Sequence, residues 1–156
     1  IMKTVVKNTN IALMYGFFTT VALGAYFMLM RTLGLAESTT LRVFNFVILF
    51  IGIYKSIAMF KEVIGTEFTY FRGLLMGVKT TLFTAFFFVG SIFIYYAFDP
   101  AFVDELLMQG RISGAGSIFG LVGVILIEAI GSGFMSVFMC MQYLKTPKHV
   151  VPHHTH

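Results

Sequence analysis

Residues 8–30 read NTNIALMYGFFTTVALGAYFMLM, and no charged side chain interrupts them between Lys7 and Arg31. As an α-helix this stretch is about 34 Å long, enough to cross a hydrocarbon core of about 30 Å. Lys3 and Lys7 ahead of it, and Gly34-Leu35-Ala36 behind it, give it some likeness to a secretory signal. The apolar region of a cleaved signal is shorter, about 7–15 residues. The reading is therefore a retained first transmembrane helix.

The same punctuation by charge continues along the chain. A second span is expected at about 41–60, bounded by Arg42 and Lys61 with Lys55 inside it. A third is expected at about 74–98, with Lys79 near its start. Arg111 and Lys145 bracket a fourth, placed at about 116–143, which carries Glu128 near its middle. Composition agrees, since 58% of the 156 residues are hydrophobic and only 12% charged. A soluble domain of this size could not cover its surface with so few charges. The expected fold is all-α, a polytopic integral membrane four-helix bundle formed as one transmembrane domain over residues 1–156. In lipid a helix satisfies its own backbone, which is the requirement that matters there.

The links between spans differ in kind. Arg31 to Thr40 is short, so helices 1 and 2 should form an antiparallel hairpin. Lys61 to Gly73 mixes charge with Val63, Ile64, Phe68 and Phe71 and reads as an interfacial segment. Asp99 and Pro100 suit the cap and first position of a further helix. Phe102, Val103, Leu106 and Leu107 would share one face of it, with Asp104 and Glu105 in its first turn. A short surface helix over 100–108 is expected. Residues 144–156 form a tail with four histidines, read as cytoplasmic.

The formal charge is +4. The basic residues are scattered at the ends of apolar runs, which speaks for lipid headgroups and orientation and against nucleic acid. With the N-terminus in the cytoplasm, Lys3, Lys7, Lys55, Lys61, Arg72, Lys79, Lys145 and Lys148 lie on or near that side. Arg31, Arg42 and Arg111 lie on the other. Both termini are accordingly expected to be cytoplasmic. Tyr95, Tyr96 and Phe98 would anchor the outer end of helix 3. Cys140 has no partner for an internal disulfide and reads as a buried thiol.

Two stretches carry a resemblance. One is Gly65-Thr66-Glu67-Phe68-Thr69-Tyr70-Phe71-Arg72-Gly73-Leu74-Leu75-Met76-Gly77, and the other is Ile94-Tyr95-Tyr96-Ala97-Phe98-Asp99-Pro100-Ala101-Phe102. Together they resemble an uncharacterised family of small four-helix membrane proteins, a domain of unknown function found in Gram-negative bacteria. The resemblance implies four helices and a location in the bacterial inner membrane. It implies no activity.

Few residues suggest chemistry. Glu128 is the most informative, because a carboxylate at bilayer depth costs about 2.5 kcal/mol or more by insertion scales. It can be a proton or cation site, an ion pair inside the bundle, or a hydrogen-bonded packing group. Lys55 and Lys79 are its candidate partners, although each lies roughly 10 Å from a helix end and could snorkel to the headgroups. Gly116, Gly120 and Gly123 form a small-residue stripe suited to close helix contact, within the bundle or with another chain. His149, His153, His154 and His156 lack accompanying Cys, Asp or Glu, so no metal site is assigned. There is no nucleophile-and-base set, phosphate loop or cofactor motif, and no histidine inside the spans to hold haem.

Two functional readings follow. One is a non-catalytic accessory or structural subunit, held in the lipid bilayer and packed against other membrane subunits of a respiratory or secretion complex. The alternative is a small proton- or cation-conducting transporter that uses Glu128.

Overall fold

The computed structural model describes residues 2–33, 42–99, 101 and 118–144. Four helices carry the fold: α1 (Met2–Thr32), α2 (Arg42–Ile64), α3 (Tyr70–Phe98) and α4 (Ile118–Leu144). Among the described residues there is no strand. All four helices are long and apolar enough to cross a membrane, over Thr9–Met30, Val43–Glu67, Tyr70–Phe98 and Val122–Leu144. The all-α four-helix membrane bundle expected from the sequence is the fold observed.

The helices run longer than their apolar cores suggest. α1 begins at Met2, six residues before the expected start, because nothing between Met2 and Asn8 breaks a helix. α2 continues past Phe60 to Ile64. The segment read as interfacial, Lys61 to Gly73, consists of two helix ends joined by a tight turn. Gly65 stops α2 with φ of +54°, a left-handed conformation that glycine adopts without steric cost. One 3-10 turn, Gly65–Glu67, follows. Thr69 then starts α3 four residues early, its side chain accepting a hydrogen bond from the Arg72 N–H at 3.4 Å. Arg72 reaches back to pair with the Glu67 carboxylate at 2.9 Å. The expected surface helix over 100–108 and the tail over 145–156 lie outside the described residues, Ala101 apart.

α2 and α3 lie against each other, and each packs on both α1 and α4. Thr19 lies against Gly52 and the ring of Tyr26 against that of Phe44, so α1 and α2 run antiparallel, as their short link requires. One core cluster joins Leu49, Ile53 and Ile57 of α2 to Val137, Cys140 and Met141 of α4. A second joins Ile11 and Ala12 of α1 to Phe60 of α2 and Met76 of α3.

Glycines set how closely the helices approach. A Cβ on Gly16 would meet the Phe83 Cβ at 2.8 Å and the Thr84 backbone N at 3.1 Å. One on Gly77 would meet Val137 Cγ2 at 2.7 Å. In lipid, where hydrocarbon surrounds every apolar side chain, such close backbone approach supplies much of the association energy.

Hydroxyls complete the interior. Thr19, Thr20, Ser56, Thr80, Thr81, Thr84 and Ser136 are all buried. Most donate to the carbonyl four residues back, as Thr80 does to Met76 O and Thr81 to Gly77 O, both at 3.0 Å. Thr20 Oγ1 also lies 3.2 Å from Thr84 O, tying α1 to α3.

Candidate functional site

Helices α3 and α4 are antiparallel with a clear register. Gly73 lies against Met141, Gly77 against Val137, and Gly133 against Thr81. Each step of four residues up α3 is a step of four back along α4. Continued upward, this register brings Glu128 to the height of Phe86, near the middle of α3. Phe86 lies about 24 Å above Tyr70, the first residue of α3. Glu128 therefore stands about 24 Å along the bundle from the first residue of α3, within the apolar stretch Val122–Leu144.

Its direction is the decisive feature. Glu128 is nine residues before Val137, which is 1% exposed and faces the bundle core. Nine residues at about 100° each make half a turn beyond whole turns, so Glu128 points straight away from the core. Its side chain is exposed on the outer face of α4. Its backbone carbonyl accepts a hydrogen bond from Ser132 Oγ at 2.7 Å, which ties the serine to its own helix and leaves the carboxyl outside the bundle.

The two candidate lysines do not approach it. Lys55 lies two residues from Ile53 and from Ile57, both fully buried, and it points outward from α2. Lys79 lies two residues from Gly77 and from Thr81, the positions that meet α4. Positions two apart are about 200° apart around a helix, so Lys79 faces away from α4. In height, Lys79 is about 10 Å below Glu128. Among the described residues the ion pair seen is Arg72–Glu67, at the turn between α2 and α3 and exposed.

The proposed glycine stripe is placed in part. Gly116 lies outside the described residues, and Gly120 is half-buried. Among the described residues a Cβ on Gly123 would meet nothing within 4 Å, so Gly123 makes no close contact with them. The close approaches between α3 and α4 are made by Gly133 of α4, against Thr81, and by Gly73 and Gly77 of α3, against Met141 and Val137. Sequence reading missed these positions and the buried hydroxyls. The signal for the hydroxyls was present, in that Thr80, Thr81 and Thr84 stand at helical spacing in an otherwise apolar run.

At the end of the bundle where α2 turns into α3, Lys61 Nζ donates to the Leu144 carbonyl at 3.1 Å and lies 5.6 Å from the centre of the Phe68 ring. Lys61 thus caps α4 from α2. Among the described residues no group of three or more His, Cys, Asp or Glu could hold a metal. Lys145 and the four tail histidines are outside those residues. The arrangement defines a small multi-pass membrane protein whose helices meet through glycine and hydroxyl contacts and in which Glu128 faces out. No family model, curated protein or solved structure matches the chain.

Proposed function

We propose that this chain is a non-catalytic accessory or structural subunit, packed against other polypeptides of a larger assembly in a bacterial inner membrane. The observation that carries the reading is the outward Glu128. A carboxyl in hydrocarbon with no partner for its polar atoms is costly, and intramembrane acids accordingly face protein or water. In this chain Glu128 turns its back on the bundle, which supports a partner on another chain. A conducting protein would instead direct such a group inward, toward the column of Thr20, Ser56, Thr80 and Thr84. Those hydroxyls are engaged with carbonyls and with one another, an arrangement suited to packing.

Native purification in mild detergent followed by native mass spectrometry tests the proposal. The chain should migrate with at least one other membrane polypeptide in fixed ratio. Migration as an isolated chain, with proton flux in proteoliposomes, would replace the accessory reading with the transport one.

A further inference from the structure

The outer face of α4 has an order of its own. Val124, Glu128, Gly131, Met135, Phe138 and Gln142 follow one another at steps of four, three, four, three and four residues, and all six are exposed. That is the 3.5-residue repeat with which two helices wind around each other left-handedly, the commonest crossing in membrane bundles. The opposite, buried face of α4 serves the fold through Gly133, Val137, Cys140 and Met141. The helix therefore carries two contact stripes, and the bundle uses one.

The unused stripe differs from the faces that suit lipid. Many exposed positions elsewhere are large and apolar, such as Phe86 and Ile94 on α3 and Phe18 on α1, beside Asn45, Lys55, Gly90 and Ser91, which are exposed too. The α4 stripe sets a carboxyl at mid-span, an amide near the inner end, and a glycine one turn from the carboxyl. A Cβ on Gly131 would meet nothing within 4 Å, so the space above it is open. Lipid tails reward none of these three. A neighbouring helix rewards all of them, because the glycine admits its backbone and the polar groups fix its register.

Resting on the accessory-subunit reading, we infer that the Val124–Gln142 stripe receives one transmembrane helix of another subunit, and that this helix carries a lysine or arginine opposite Glu128. A cation there turns an isolated acid into a charge-assisted hydrogen-bonded pair. It also distinguishes this occupant from a second copy of the chain. Parallel pairing of two copies along the stripe would set Glu128 against its own counterpart, with no group of opposite charge facing it.

Photo-crosslinking amino acids placed singly at Val124, Gly131, Met135 and Phe138 of the full chain test this in native membranes, with Val47 on α2 as an exposed position off the stripe. The crosslinked peptide is sequenced at each position. The four stripe positions should yield one transmembrane peptide with a lysine or arginine at the level of Glu128, and Val47 should not. Glu128→Gln, which keeps the side-chain shape, should lower the yield by about threefold to tenfold. Glu128→Lys should abolish it, and changing the partner's basic residue to glutamate should restore it. Adducts to lipid alone, to a second copy of this chain, or to a peptide without a basic residue would each overturn the inference. So would a yield that Glu128→Gln leaves unchanged. If the chain still migrates with its assembly in those cases, the accessory reading stands and only this interface is wrong. If it migrates alone, both fall.

Discussion

The hydroxyls of Ser56 and Thr80 lie 2.7 Å apart where α2 crosses α3, and neither residue has any exposed surface. Thr80 also lies 3.0 Å from the Met76 carbonyl. That carbonyl can only accept, so Thr80 spends its hydrogen on Met76 and Ser56 donates to Thr80. A single hydrogen bond thus joins two helices that share the centre of the bundle. Ser56→Ala and Thr80→Val should each destabilise by about 0.6 kcal/mol or somewhat more, as interhelical bonds in membranes do. The double variant should cost less than the two singles together. Reversible unfolding in mixed micelles measures this, and strictly additive losses would show that the two hydroxyls do not interact.

Glycine positions divide into two groups with opposite expectations. A side chain on Gly16 would strike the backbone of Thr84, which cannot rotate away. A side chain on Gly90 or Gly123 would meet nothing within 4 Å. Gly16→Ala should therefore destabilise the bundle by about 1–3 kcal/mol, in the range of overpacked cores. Gly90→Ala and Gly123→Ala should leave the folded state unchanged or slightly favoured, since alanine is the better helix former. The same unfolding assay decides, and equal effects at Gly16 and Gly123 would contradict the packing described.

That division also marks what could be read without coordinates. The four helices were legible because charges such as Lys7, Arg31 and Lys61 interrupt apolar runs of membrane-spanning length. The turn between α2 and α3 was less so, because Gly65 and Thr69 act through backbone conformation and capping among residues that look interfacial. The contact face of α4 was not legible. In a soluble helix polarity tells the inner face from the outer, but lipid and protein interior are equally apolar, so Gly123 and Gly133 look alike in sequence. Glu128 stands out in the sequence as a carboxyl in an apolar run, but it takes the position of Val137 on the same helix to see that it points outward.

Lys61 is the next test, because it joins the C-terminal ends of α2 and α4. Its ammonium donates to the last carbonyl of α4, where the helix dipole favours positive charge. Lys61→Met keeps the apolar stem and removes the charge. Hydrogen exchange over residues 138–144 should quicken, with a local loss of about 1 kcal/mol. Lys55→Met, on the outward face of α2, is the control and should leave that segment unchanged. Equal protection in the two variants would mean that Lys61 does not cap α4.

Orientation follows from the lysine and arginine asymmetry, and cysteine labelling in intact cells can read it. The background should be Cys140→Ser, which removes the buried native thiol. A cysteine at Glu37 should react with an impermeant reagent added outside, and one at Thr146 should react only after permeabilisation. Reaction of the Thr146 site in intact cells would invert the topology and place the Lys61–Leu144 clasp on the outer side.

Glu128→Gln separates the two functional readings, because glutamine keeps the shape and much of the hydrogen bonding of the acid but cannot exchange a proton. An accessory subunit should retain its fold in this variant, since Glu128 makes no contact on which the bundle depends. Its hold on the neighbouring helix should weaken, as the charge opposite loses its counterpart. Unfolding stability should thus stay within about 0.5 kcal/mol of the parent, the range for surface substitutions, while the fraction recovered with the assembly falls. A conducting protein would behave in the opposite way, keeping its associations and losing proton or cation flux in proteoliposomes. Flux abolished with the fold and the assembly both intact would therefore refute the accessory reading. Flux unchanged with a loosened assembly would leave the outward carboxyl with one role, as a contact to another chain.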